Sequence, residues 1–342
     1  MNLQWDNWHI ELSSICTLKC PRCPRMEVPD GLLNRQLSLD FFKNQIGADV
    51  AREIKKITFC GNDGDPIYCR DLIDICVWFK TINPDVNITL ITNGSYKSND
   101  WWQYLGKVLD SKDEIHWSLD GWDQASNEQY RVNCNWDSII SGIQSFAAVN
   151  SQTYRVWDTI GFRFNQDQLL HQLDVARELG FDSHQLTKST KFGSVNSEYG
   201  LNDPLEPTDL SLVSKGSRYE RVLTRLSTKE QPGADIKAIY FKRAENLAKH
   251  STYSGICLIG NRGVFVNSLG EFYPCCWVAN RYQHNQSWLQ LAQQQFNLKQ
   301  KTFKEIISDP YWQNEFLRFD SFECTTKCTK DRLNDPEHTL GW

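Results

Sequence analysis

The chain has 342 residues, 40% of them hydrophobic and 23% charged, with a formal net charge of -5. At roughly 150 residues per domain that is about two domains, or one large α/β domain with an appendage. The composition excludes a mostly disordered chain or a fibre, and the charge gives no reason to expect nucleic acid or an acidic membrane as a partner. No run approaches the roughly 20 apolar residues of a membrane helix. The segment MNLQWDNWHIEL has no basic region followed by an apolar stretch, so no secretory signal is expected and the chain reads as cytoplasmic.

Taken in chain order, short apolar runs alternate with helical periodicity. Trp8–Ser13 reads as a strand, and 39–52 as a helix with Ser38 as its N-cap. Lys56–Cys60 is a strand leading into a glycine-rich turn, followed by a helix over 71–81. Asn87–Ile91 is a strand ending at Thr92-Asn93-Gly94, followed by a helix over 101–109. Glu114–Leu119 is a strand ending at Asp120-Gly121, followed by a helix over 136–148. A strand over 156–164, closed by Arg163 and Asn165, precedes a helix over 167–179 and a sixth strand over 183–186. Strand and helix alternating at this spacing indicate parallel βα units. Ligands gather at the C-terminal ends of the strands in such sheets, where these polar turns fall.

From about Lys188 the pattern changes. Residues 188–250 are polar, carry Pro204, Pro207 and Pro232, and hold helix-like stretches near 208–226 and 234–249. This segment reads as a mostly helical bridge between a core over 1–187 and a C-terminal region over 251–342. In the latter, Val264–Asn267 and Glu271–Tyr273 flank Ser268-Leu269-Gly270 as a hairpin.

Twelve cysteines and thirteen tryptophans are the unusual counts. The tryptophans are spread along the chain and read as core or rim. Without a secretory signal, the cysteines point first to metal or catalysis and second to disulfides. Cys16, Cys20 and Cys23 form a tight group directly after the first strand. A structural zinc site closes with four ligands, and no nearby histidine or cysteine supplies a fourth. Three thiolates can instead hold a [4Fe–4S] cluster and leave one iron open. Cys257, Cys275, Cys276, Cys324 and Cys328 form a looser group. Four thiolates there fit zinc and iron–sulfur equally well by softness and count. The seven histidines form no H-x3-H or HExxH pattern, so a separate catalytic metal is not expected.

The C-x3-C-x2-C loop after the first strand of a βα array resembles the radical S-adenosylmethionine (radical SAM) superfamily. That resemblance implies that S-adenosylmethionine chelates the open iron on Cys16, Cys20 and Cys23. Reductive cleavage then gives a 5′-deoxyadenosyl radical that abstracts a substrate hydrogen, with the protein supplying binding, orientation and exclusion of water. The sequence departs from the family where Arg22 stands in the place of the usual aromatic residue. The turn Gly61-Asn62-Asp63-Gly64-Asp65-Pro66 is similar to the family's glycine-rich turn, whose backbone receives the methionine amino group; Asp65 replaces the usual Glu. Asn93 lies at the third strand end, where the family contacts the ligand. Ser118-Leu119-Asp120-Gly121 followed by Arg131 resembles the arrangement in which Ser118 and Arg131 hold the methionine carboxylate, a task suited to the arginine fork. Arg163 and Asn165 are expected to face the same cavity.

Gly270-x4-Cys275 with Cys257, Cys324 and Cys328 resembles the twitch domain, the shortened form of SPASM. By that resemblance these four cysteines hold an auxiliary [4Fe–4S] cluster. Cys276 stands where related sulfatase-maturing enzymes carry an aspartate base. It reads as a hydrogen-atom donor to a substrate radical, as a ligand in place of Cys275, or as a buried thiol. The implied fold class is α/β: a partial (β/α)6 TIM-like barrel over 1–187 with a small β-hairpin/α auxiliary-cluster domain over 251–342. The implied activity is peptide or protein modification by oxidation, crosslinking or epimerisation. A radical dehydrogenase or rearrangement enzyme acting on a small molecule such as a sugar is the alternative. A non-enzyme alternative is an electron-transfer or structural iron–sulfur protein. The implied partners are the substrate and a reductant such as flavodoxin or ferredoxin.

Overall fold

A computed structural model describes residues 5–189, 192, 202–209, 221–233, 235–236, 238–240, 242, 264–279 and 286–316. Among the described residues there are nine strands, most of them paired in parallel. They are β1 (Asn7–Ile10), β2 (Lys56–Phe59), β3 (Asn87–Thr92), β4 (Glu114–Ser118), β5 (Tyr154–Ile160), β6 (Ser183–Thr187), β7 (Arg221–Arg225), β8 (Val264–Val266) and β9 (Phe272–Tyr273). The first six and the helices between them are the elements expected from the alternating pattern, with bounds shifted by a few residues. β1 and β2 are buried along their whole length and β3 along nearly all of it. Continuous burial is what parallel strands covered on both faces require.

The chain divides into two compact units. One comprises Met1–Ile15, Leu33–Ile88 and Gly233–Trp342; the other comprises Cys16–Leu32 and Thr89–Pro232. In the first, the strand order is β2-β1-β8-β9. β8 runs parallel to β1, with Trp8 opposite Val264, and antiparallel to β9. This pairing gives β1 a hydrogen-bonded neighbour on its second edge, which removes an exposed row of backbone donors and acceptors. Gly270 precedes β9 at φ +80°, a left-handed conformation suited to glycine. Ser38 caps the helical stretch expected over 39–52; its hydroxyl accepts from Phe41 N at 3.2 Å.

In the second unit the order is β3-β4-β5-β6-β7. β3 to β6 are parallel, and β7 closes the edge antiparallel to β6. The expectation of helix near 208–226 is corrected here. Arg221–Arg225 is a strand, while 210–220 lie outside the described residues. Five residues are too short for periodicity to separate helix from strand, and pairing with β6 decides the outcome. Of the stretch expected as helix over 234–249, residues 235, 236, 238–240 and 242 are helical and the rest lie outside the description.

Each unit has an aromatic core. In the first, Trp312 packs on Trp288 at 5.6 Å and on Phe272 at 5.5 Å, and Trp8 packs on Phe303 at 4.6 Å. In the second, Trp117 lies 5.7 Å from Trp102 and 5.6 Å from Phe181, which in turn lies 5.3 Å from Trp157. Such pairs contribute about 0.5–1.5 kcal/mol each beyond their buried area. They place six of the thirteen tryptophans in the core. Among the described residues, no helix is long and apolar enough to cross a membrane.

The helices Asn99–Val108 and Trp136–Val149 meet where Gly142 lies against Trp102. A Cβ on Gly142 would sit 2.3 Å from the indole nitrogen. Gly142→Ala is therefore expected to lower stability by about 1–2 kcal/mol, overpacking outweighing the better helix propensity of alanine. The exposed neighbour change Gln144→Ala should stay within about 0.5 kcal/mol of the parent. Urea denaturation of both variants checks this.

Candidate active site: the cysteine loop and the strand-end turns

In the second unit, Cys16, Cys20 and Cys23 lie on one loop, with Cys20 buried and the other two half-buried. The loop is tied down by its backbone. Lys19 N donates to Val132 O at 3.0 Å, and Asn133 Nδ2 donates to Thr17 O at 2.9 Å. Asn133 reaches that position with φ +69°, a left-handed conformation that asparagine tolerates better than most residues. Cys23 is the N-cap of the short helix Pro24–Glu27, which begins with proline. Asn93, buried at the end of β3, places its Nδ2 3.7 Å from Cys16 Sγ. The expected site residues Cys16 and Asn93 are thus neighbours.

Ser118 is half-buried at the end of β4. Just beyond it, Asp120 is fully buried and accepts from Ile160 N at 2.8 Å and from Arg131 Nε at 2.5 Å. Asn127 shapes this turn; its Oδ1 accepts from Asp120 N at 2.9 Å and Gly121 N at 3.2 Å. A Cβ on Gly121 would lie 2.1 Å from Asn127 N, so only glycine allows this approach. Asn165, expected to face a cavity, is buried instead; its Nδ2 donates to Asp120 O at 2.8 Å and Ile160 O at 2.9 Å. Arg163 donates from Nε to Glu206 O at 3.0 Å. Burial opposes the charge on Arg131, but Asp120 and the Cys20 thiolate outweigh it and hold the guanidinium above its usual pKa. The Arg131 cation therefore acts on Cys20 as well as on Asp120.

In the first unit, the turn after β2 is organised by Glu11, which belongs to none of the sequence motifs. Glu11 is buried just past β1, and its Oε1 accepts from Asp63 N at 2.6 Å. Ser268 N and Oγ each approach its Oε2 at 3.4 Å. Gly61 and Gly64 are needed for close packing: a Cβ on Gly61 would meet Glu11 Oε1 at 2.7 Å, and one on Gly64 would meet Ser13 O at 2.0 Å. Asp65 is buried and accepts from Ile67 N at 3.1 Å, capping the next turn. Asn62 Nδ2 donates to Cys276 O at 3.1 Å. Cys275 and Cys276 are both half-buried. Cys257, Cys324 and Cys328 lie outside the described residues.

Two further clusters of charge escaped the sequence reading. His116 on β4 bridges Asp158 Oδ2 at 2.9 Å and Glu114 Oε2 at 3.2 Å. Burial opposes its charge, yet these carboxylates raise its pKa to about 9, so it is an imidazolium at neutral pH. By strand alternation and register, it shares a sheet face with Ser118 and Asp158. Arg22, in the cysteine loop, pairs with Asp203 Oδ2 at 2.6 Å.

The donor set of the cysteine loop fits an iron–sulfur cluster. Its three thiols are soft ligands, with the amide of Asn93 beside Cys16 and the Arg131 cation acting on Cys20. Among the described residues, no three His, Cys, Asp or Glu side chains converge to hold a single metal ion. In a four-iron cluster each thiolate binds its own iron, so convergence on one point is not what that group requires.

No protein-family model and no curated protein sequence matches the chain. Solved structures do. SuiB of Streptococcus suis bound to the precursor peptide SuiA aligns with TM-score 0.59 and 12% identity, over 98% of this chain and 75% of that one. Native anSMEcpe with bound AdoMet aligns with TM-score 0.53 and 14% identity, over 98% and 92% respectively. The same protein with AdoMet and the Cp18Cys peptide aligns with TM-score 0.52 and 14% identity, over 98% and 91%. These are radical SAM enzymes, and the mixed α/β fold with its mostly parallel sheet matches their partial barrels. The chain has the radical SAM fold. At such identities, what is shared is the fold itself.

Burial, reinforced by the charge of Asp63, pushes the Glu11 carboxyl from its ordinary value of 4.5 up to about 7. A raised folded-state pKa gives stability that is fully present below the unfolded value and is lost as pH rises through the folded value. The window is about pH 4.5 to 7. Glu11→Gln removes this dependence. The variant should gain about 1–3 kcal/mol on the parent between pH 5 and pH 8. Urea midpoints at the two pH values measure the gain; an equal difference at both would contradict the assignment.

Proposed function

We propose that this protein is a radical SAM enzyme that modifies a peptide or protein substrate. The observation that carries the reading is the cysteine loop: three thiols on the C-x3-C-x2-C segment, with Asn93 beside Cys16 and the Arg131 charge acting on Cys20, in a chain with the radical SAM fold. Cys16, Cys20 and Cys23 would hold a [4Fe–4S] cluster with one open iron. That group, when bound with S-adenosylmethionine and reduced, supplies the 5′-deoxyadenosyl radical for hydrogen abstraction.

The chain's own residues supply binding and orientation. Arg131, fixed by Asp120 through Nε at 2.5 Å, is the cation for the methionine carboxylate, with Ser118 beside it in the motif. Asn93 contributes at the end of β3. Gly61, Asn62, Asp63, Gly64 and Asp65 form the turn assigned to the methionine amino group. Glu11 engages the amide of Asp63, which suits a turn that meets an amino group with carbonyl acceptors. The auxiliary [4Fe–4S] cluster is assigned to Cys257, Cys275, Cys324 and Cys328, in a C-terminal domain over 251–342 that a bridge over 188–250 joins to the core. Cys276 is assigned as a hydrogen donor to the substrate radical. A flavodoxin- or ferredoxin-like reductant is the electron source.

A peptide substrate is favoured by the structural neighbours: SuiB is seen with its precursor peptide SuiA, and anSMEcpe with the Cp18Cys peptide. The test is anaerobic reconstitution followed by reduction in the presence of S-adenosylmethionine. We expect about eight irons per chain, about four after Cys257→Ala, and 5′-deoxyadenosine formation that Cys20→Ala abolishes. Persistent formation in the Cys20→Ala variant would remove the assigned site.

A further inference from the structure

Arg22 lies between two of the loop's cysteines and is only 4% exposed. A buried cation in that position needs a partner, and the structure supplies one from far along the chain. Arg22 Nε donates to Asp203 Oδ2 at 2.6 Å, and a terminal nitrogen donates to Oδ1 at 3.0 Å. The pair is a two-pronged match of guanidinium and carboxylate. Glu27 stands 3.9 Å away on the loop's own short helix. Asp203 is 1% exposed and is held in place independently, because its Oδ1 also accepts from Leu205 N at 3.0 Å.

Residues 202–209 are in turn fastened to the chain after β5. Arg163 N donates to Leu205 O at 3.0 Å, Arg163 Nε donates to Glu206 O at 3.0 Å, and Thr208 N donates to Gln166 Oε1 at 2.8 Å. The segment that carries the acceptor for Arg22 is thus anchored through residues 205, 206 and 208. The usual aromatic residue at position 22 would make no such tie.

We propose that Arg22 and Asp203 form a charge-balanced latch that fastens the cysteine loop to residues 202–209 and sets the electric field at the group the three thiols hold. Both are positioning residues. The second half of this proposal rests on the cluster reading; the first half does not. With both partners present the pair is neutral overall. Removing the carboxylate leaves a buried cation next to the thiolates. Removing the guanidinium leaves a buried anion, and either change is costly because a buried charge loses its two-pronged partner, Arg22 then facing Glu27 at 3.9 Å.

The experiment uses the full chain, reconstituted anaerobically, as parent, Asp203→Asn, Arg22→Gln and the double variant. Reductive titration followed by electron paramagnetic resonance reads the midpoint potential. We expect Asp203→Asn to shift it upward, Arg22→Gln to shift it downward, and the double variant to return close to the parent. A purely structural role would not produce shifts of opposite sign. Absent shifts, or shifts of one sign in both single variants, overturn the electrostatic half. Iron lost from a single variant and restored in the double variant supports the charge-balance half; iron lost from all three variants while the parent loads overturns that half, and exchange then decides the fastening. Hydrogen–deuterium exchange on the same proteins reads the fastening. We expect residues 20–27 and 203–206 to exchange about tenfold faster or more in either single variant, with the sheet unchanged. Unchanged exchange overturns the fastening half. A parent that binds no iron defeats the cluster reading instead, and exchange still decides the latch.

Discussion

Three thiols gathered within eight residues repel one another once they ionise, so the loop that carries them has to be held from outside. The second unit is arranged around that constraint. Asn93 directs an amide at Cys16, the Arg131 charge acts on Cys20, and Arg22 spans from the loop to Asp203. Arg131 is itself fixed by Asp120, and Asp120 by Asn127, Ile160 and Asn165. The ends of β3, β4 and β5 therefore all bear on the cysteine loop, β3 through the Asn93 amide and β4 and β5 through the Arg131 charge that they position. Parallel strands make this possible because their C-terminal ends lie at one edge of the sheet.

Much of this was legible in the sequence. β3 and β5 are rich in β-branched and aromatic residues, and the helices between strands carry apolar periodicity with capping residues such as Ser98 and Asn135. The cysteine spacing and the polar strand ends were visible because they are local. What was not legible depends on distant partners. Arg22 reads as an anomaly until Asp203, 181 residues further on, is placed against it. Glu11 reads as one residue of the strand expected over Trp8–Ser13; only the fold brings Asp63 and Ser268 to it. His116 gives no motif because its two carboxylates come from its own strand and its neighbour. Arg221–Arg225 is a strand because β6 offers an edge, and the segment itself does not reveal that.

The first unit obeys a different constraint. β1 is flanked by β2 and β8, and Glu11 at its end joins the turn after β2 to the turn after β8. A single carboxylate thereby fixes two glycine-bearing turns, at the cost of a proton affinity raised to about 7. The glycines at 61 and 64 are required by close packing, since a side chain on either would meet Glu11 or the backbone of Ser13. Asn62 then reaches the backbone of Cys276. The residue singled out as a hydrogen donor is thus held against the same turn that is assigned to the methionine amino group.

The central claim is that Cys16, Cys20 and Cys23 hold a cluster whose open iron receives S-adenosylmethionine. Its most direct test is a titration of S-adenosylmethionine into the reduced Cys257→Ala protein, which lacks one of the ligands proposed for the auxiliary cluster, followed by electron paramagnetic resonance. The account predicts that the g-values of the remaining cluster change and reach a limit at saturation, because the amino and carboxylate groups enter the iron's coordination sphere. A reduced cluster whose spectrum stays the same at saturating S-adenosylmethionine would contradict it.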